Sequence, residues 1–263
     1  MMSILQLGKR IFDKRVAQAK DNLNALPRQD VGLPYGAQIG SLMEVPRASF
    51  AILDGTLLKV PASAQMQVQA VGRVRLDADP SLEIFRLYTD VGDRRTDAGQ
   101  TFLQVLVQNG KPIEATYYQQ LFRLTPATAE EQEAYQGAGY GLGELWYNLG
   151  DDQLAMAGMN SDQIAALLTG AETLDYQRDT PVTDEYIRPY TAVENRLDEP
   201  TGMKGMRQKM HFMPYVRTLP DGNKENLLIS FEVVDSVDGA RAPSVHVDFL
   251  VGLTLEPMKL KVI

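Results

Sequence analysis

The dipeptide Asn109-Gly110 lies between LQVLVQ (103–108) and KPIEATYY (111–118), two runs rich in β-branched and aromatic residues. Asn and Gly both tolerate the positive φ angles of a type I′ turn, whose twist matches that of the strands it joins. Strands over 101–108 and 112–121 are therefore expected to pair antiparallel. SVHVDFLVGLTL (244–255) sets Val245, Val247, Phe249, Val251 and Leu253 at every second position, the period of a half-buried strand. NLLISFEVV (226–234) precedes it across the loop DSVDGARAP, and runs at 55–61, 67–77 and 82–89 extend the β pattern. Between these blocks, residues 126–200 predict surface loops and two short helices. One starts at Thr128 with Glu131 three residues on, a capping-box spacing; the other has Ser161 as its N-cap and Gly170 beyond its end. Strands, a mixed middle and strands again predict an α+β fold: a predominantly antiparallel β sheet with a few short helices and an N-terminal amphipathic helix.

That N-terminal helix is read over residues 3–26. Ile4, Leu7, Ile11, Ala19, Leu23 and Leu26 approximate a 3.6 period, and Pro27 follows as a stop. Residues 1–26 carry Lys9, Arg10, Lys14, Arg15 and Lys20 against Asp13 and Asp21, a balance of +3; the net charge of −8 leaves −11 for the rest. The expected organisation is a basic helical extension over 1–27 and a single β-rich domain over 28–263. Ile4, Leu7, Ile11, Lys14 and Arg15 are its candidate partner-binding residues, for a protein partner, a second copy or peripheral contact with an anionic membrane. An acidic body repels phosphates, so nucleic acid is not an expected partner.

Cysteine is absent, which removes disulfides, thiolate nucleophiles and Cys-ligated zinc. The start MMSILQLGKRIFDKR meets charge after only a few apolar residues and has no signal-peptide pattern, so a cytoplasmic location is expected.

YQGAGYGLGELW (135–146) has four alternating glycines but not the G-x-G-x-x-G spacing of a dinucleotide loop: Leu142 or Glu144 stands where the third glycine belongs. No Walker lysine follows, and Glu144 opposes an anion. The expectation is a chain path that approaches another backbone closely, with no cofactor. Met203, Met206, Met210 and Met213, spaced three, four and three, are read as a flexible apolar stripe that packs into a core or a partner groove. Asp90, Asp93 and Asp97 around Arg94-Arg95, and Asp235 with Asp238, do not match a calcium loop and are expected at solvated hairpin tips. The two histidines are His211 and His246. His246 and Asp248 share one face of their strand, the non-core face, and are the weak candidates for acid–base chemistry. No metal spacing accompanies them, so no metal is expected.

LPYGAQIG (33–40), LLKVP (57–61), QAVGRV (69–74), TFLQVLV (101–107) and the ending VGLTLEPMKLKVI resemble the YjfK-like family of bacterial proteins, a domain of unknown function. The resemblance covers most of 31–263 and implies a bacterial, cytosolic protein, grouped with membrane-stress coiled-coil proteins. It transfers no active-site residues. The sequence reading is a non-enzymatic binding or accessory protein that acts with a protein partner, near the inner membrane surface; the alternative is a small-molecule enzyme that uses carboxylates and a histidine.

Overall fold

A computed structural model of the chain describes residues 26–51, 53–92, 99–181 and 184–263. The N-terminal helix, with Ile4, Leu7, Ile11, Lys14 and Arg15, lies outside the described residues, as do Asp93, Arg94, Arg95 and Asp97.

The strands are β1 (Leu42–Glu44), β2 (Gln65–Gln67), β3 (Ala70–Leu76), β4 (Glu83–Asp90), β5 (Thr101–Gln108), β6 (Lys111–Leu124), β7 (Trp146–Leu149), β8 (Leu174–Arg178), β9 (Tyr190–Leu197), β10 (Gly205–Thr218), β11 (Lys224–Ser236), β12 (Ser244–Leu255) and β13 (Lys261–Val262). The helices are short: α1 (Ala48–Ala51), α2 (Ala129–Gln136), α3 (Asp151–Met156) and α4 (Ser161–Leu168). β5 and β6 pair antiparallel around Asn109 (φ 52°) and Gly110 (φ 73°), the left-handed pair that the turn chemistry requires.

The order β11-β12-β6-β5-β4-β3-β9-β10 is closed by antiparallel pairing of β10 with β11, from Met206↔Ser236 to Thr218↔Lys224. This is an eight-stranded antiparallel barrel. β8 and β7 extend from β10, and β13-β1-β2 forms a separate three-stranded sheet. The α+β expectation is thereby corrected: the chain is 45% strand and 14% helix, and eight of its strands close into a barrel.

Where other segments wrap the barrel, a strand has two buried faces. On β12, every residue from His246 to Leu253 is buried. Val247, Phe249, Val251 and Leu253 face outward into the main core, with Leu227, Ile229 and Phe231 of β11 and the segments that wrap the barrel. Phe249 stacks on Phe122 with centroids 4.3 Å apart. Burial of each such side chain contributes about 1.5–3 kcal/mol. The opposite face points into the barrel, where Tyr88, Phe102, Tyr118, Leu228 and Leu250 form a second apolar cluster. A third, of Val74, Ile84, Ala192 and Met210, lies on the inward face of β3, β4, β9 and β10.

Several expected elements change place. Residues 55–61 form no strand, although Leu57 and Leu58 are buried. The middle contains β7, β8 and β9 besides its helices. Asn160, not Ser161, caps α4: its side chain accepts from Gln163 N at 3.0 Å, and Gln163 Oε1 accepts in turn from Asn160 N at 2.9 Å. The methionines from 206 to 213 ride a strand. Met206 and Met210 are buried, Met213 packs into the main core, and Met203 is exposed in the preceding loop.

Candidate functional site

The inner face of the barrel carries charge at alternate positions of otherwise apolar strands. Arg86 on β4 donates from Nη1 to Glu194 Oε2 on β9 at 2.7 Å and from Nε to Gln104 Oε1 at 3.1 Å. Tyr88 OH donates to Glu194 Oε1 at 2.7 Å. The Arg86 guanidinium lies over the Phe102 ring and that of Arg196 over Tyr88. Gly72 on β3 makes room for this pair, because a Cβ there would overlap the Glu194 carboxylate. Burial pushes Glu194 up, against Arg86 and Tyr88, which pull it down.

A second group lies beside it. Asp248 Oδ1 accepts from Gln120 Nε2 and Arg123 Nε, each at 2.6 Å, and Oδ2 accepts from Arg123 Nη2 at 2.7 Å. The bidentate geometry depends on a β-bulge in β6. Phe249 pairs with Phe122 but Leu250 with Gln120, so Leu121 is the extra residue. Its insertion sends Phe122 outward to stack on Phe249 and brings Arg123 to Asp248.

Glu232 Oε1 accepts from Ser230 Oγ at 2.9 Å. Its other oxygen, Oε2, lies 3.4 Å from His246 Nε2, which is also 3.7 Å from Asp248 Oδ2. His246 is only 5% exposed, and Nε2 has no hydrogen-bond partner among the described residues. Burial raises the Glu232 carboxyl, but the adjacent imidazole, Arg86 and the Ser230 hydroxyl outweigh it and hold the group below the ordinary carboxylate range. Asp248 goes the other way: burial and the Glu232 charge raise it above its ordinary value, against the pull of Arg123. Glu232, His246 and Asp248 each offer one ligand atom, all within 4.8 Å of one another.

This cluster meets the surface at one end of the barrel. A cavity of about 520 Å³ is lined by Arg123, Thr125, Met206, Ser236, Arg241 and His246 among others. Two arginines, a histidine and several hydroxyl residues line it, with no carboxylate among its lining residues. A neighbouring cavity of about 410 Å³ shares Met206, Ser236 and Arg241 and adds Arg196, Asp198 and Lys204. A recess of about 600 Å³ at α3 and α4 has only carboxylates, Asp151, Asp152 and Glu172, as charged lining, so it lacks convergent chemistry.

Of the sequence candidates, His246 and Asp248 do share a face, but that face is the buried barrel interior and not an outer surface. His211 belongs elsewhere, edge-on to Phe231, where burial and Arg188 lower its pKa. Glu232, Ser230, Arg123, Gln120, Arg86 and Glu194 were not legible as site residues. Their signal was a charged or polar residue at alternate positions inside strongly apolar runs, as in IFRLY and LLISFEVV. The glycine loop is structural. A Cβ at Gly141 or Gly143 would meet the carbonyl oxygen of Ala134 or Ile187, and Glu144 Oε1 accepts from Gly141 N at 2.9 Å. Arg178 fixes the loop by donating to the Gly143 carbonyl, and Tyr215 OH accepts from Gly143 N at 2.9 Å. Asp235 and Asp238 are exposed, but only Asp238 lies in the hairpin loop; Asp235 sits within β11, opposite Arg207 of β10.

Fold and site together define a closed antiparallel barrel with a charged interior that opens to solvent at one end. The chain matches a family of proteins of unknown function, DUF2491, over residues 11–261, and belongs to it. Neither the curated proteins nor the solved structures yield a match.

Proposed function

We propose that this protein is a non-enzymatic binding protein whose barrel mouth takes a small anionic molecule. The observation that carries this reading is the lining of the 520 Å³ cavity: Arg241, His246 and Arg123, the last already paired with Asp248, line it with no carboxylate among the lining residues. The volume falls in the range of about 300–1,000 Å³ usual for small-molecule sites. Thermal-shift measurements with inorganic phosphate and citrate test it. An anion at 100 times its dissociation constant adds about 2.7 kcal/mol of stability. Arg241→Ala should abolish the shift, whereas Arg75→Ala, on the outer side of β3, should leave it intact. Equal shifts in both variants would sink the reading.

The accessory part of the proposal rests on the basic segment 1–27 beside an acidic body, +3 against −11. That contrast supports contact with a protein partner, a second copy or anionic lipid. The YjfK-like affiliation and the bacterial, cytoplasmic setting it implies belong to the same proposal. Among the described residues, no helix is long and apolar enough to cross a membrane. A chain that starts at Arg28 should stay folded and lose only association, measured by liposome sedimentation and pull-down; unfolding of that chain contradicts an accessory role.

The second reading, a small-molecule enzyme, is favoured by one observation: His246 meets Glu232 and Asp248 at the edge of the cavity.

A further inference from the structure

We infer that Glu232, His246 and Asp248 form a binding site for one divalent first-row metal cation, with an open coordination position toward the barrel mouth. The inference goes beyond the anion reading and does not depend on it.

Three observations carry it. First, the buried His246 Nε2 lies near two carboxylate oxygens yet bonds to neither: 3.4 and 3.7 Å exceed the 2.7–3.2 Å range of an N–H···O bond. Two ligands held about 2.1 Å from a zinc ion at the tetrahedral angle lie about 3.4 Å apart, so the two imidazole–carboxylate spacings suit atoms that share a cation, and the two carboxylates, with all three ligand atoms within 4.8 Å, close on it when it binds. Second, Glu225, a buried carboxylate elsewhere in the fold, contrasts with Glu232, which accepts from Ser230 and lies against the unpartnered imidazole. Glu225 accepts from Leu57 N, Tyr176 OH and Arg217 Nε, each at 2.7 Å, and from Thr56 Oγ1, so its donors are complete. Third, the orienting bonds needed around such a site are present. Ser230 holds Glu232 by Oε1, which leaves Oε2 toward the imidazole, and Gln120 with Arg123 holds Asp248.

One imidazole and two carboxylates, without thiolate, suit zinc, manganese, cobalt or ferrous iron. The local charges also set the occupant's character. With a neutral imidazole, Glu232, Asp248 and Arg123 sum to −1, so a dication leaves +1. An anion or hydroxide in the open position then completes neutrality. His246 itself lines the mouth cavity, which places the site directly beside it.

The test uses the full chain, freed of metal with a chelator, and zinc chloride alone as probe. With only two histidines, nitrogen-15 imidazole NMR distinguishes the sites, and a His211→Gln variant assigns the signals. Zinc should shift the His246 Nε2 signal, with saturation at one equivalent, and leave His211 unmoved. Glu232→Gln should weaken zinc binding at least tenfold in a calorimetric titration. An unmoved His246 signal in excess zinc overturns the inference, as does wild-type affinity in Glu232→Gln. Should that variant not fold, the wild-type NMR result decides alone. Because no phosphate or citrate is present, failure here leaves the anion reading standing, and an anion shift that persists in chelator does not rescue the metal site.

Discussion

Replacing Gly72 by alanine tests whether the buried Arg86–Glu194 pair is as tightly confined as the barrel interior implies. A Cβ on Gly72 would overlap the Glu194 carboxylate and come within 2.8 Å of its Cδ. A glutamate on a surface would swing aside at little cost. Glu194 has nowhere to go: it is wholly buried, and both oxygens are held at 2.7 Å, one by Arg86 and one by Tyr88. Moving it leaves Arg86, which stays ionised under all ordinary conditions, without its closest counter-charge. Loss of one partner from a buried ion pair costs about 3–5 kcal/mol. Alanine returns about 0.5–1 kcal/mol relative to glycine in a strand. The expected net loss is about 2–4 kcal/mol, which a domain of ordinary stability survives. With a urea m-value of about 3 kcal/mol/M, the unfolding midpoint should fall by about 1 M. The same substitution in a Glu194→Ala background should cost at most about 0.5 kcal/mol, because the colliding group is gone. A Gly72→Ala midpoint equal to wild type, or an equal loss in both backgrounds, refutes the confinement.

At the β5–β6 turn, Gly110→Ala meets no neighbour within 4 Å, so only its φ of +73° is at issue and the cost should be about 1–2 kcal/mol by urea denaturation. Glu225→Gln should destabilise by up to about 3–5 kcal/mol, with faster amide exchange at Leu57, because it weakens the hold of Arg217 and Tyr176 on the outer wall; unchanged exchange at Leu57 contradicts this. Glu199 gives a pH dependence. Burial raises its carboxyl, but bonds from Thr201, Met203 and Lys204 outweigh that and lower it. Its contribution is therefore complete above the ordinary carboxylate range and lost as pH falls through the lower folded-state value. Carboxyl NMR titration should place Glu199 below exposed glutamates, and a midpoint at or above theirs contradicts the loop geometry.

Local chemistry was legible in the sequence where it acts over a few residues. The Asn-Gly turn located the β5–β6 hairpin, period-2 alternation located β12, and an apolar, β-rich run located β11. What escaped depends on distant pairing. β10 reads GMRQKMHFMPYVRT, with mixed charge, methionines and a proline, so nothing local marks it as the strand that closes the barrel against β11. That closure also explains the error over His246 and Asp248. Their alternation with apolar neighbours was correct, and in an open sheet the polar face would meet solvent. In a barrel the same face turns inward, and a pair expected at the surface becomes part of a buried charged layer. The Leu121 bulge was likewise hidden, because one extra residue changes which of Phe122 and Arg123 faces the interior without changing composition.

The most direct test of a ligand-binding barrel mouth is a crystal structure of the full chain grown with saturating inorganic phosphate. Density is expected in the cavity beside His246, within hydrogen-bond distance of Arg123 and Arg241. Phosphate bound instead on the outer wall, or a mouth left without ligand under conditions where phosphate raises the melting temperature, would contradict the assignment of function to the barrel interior.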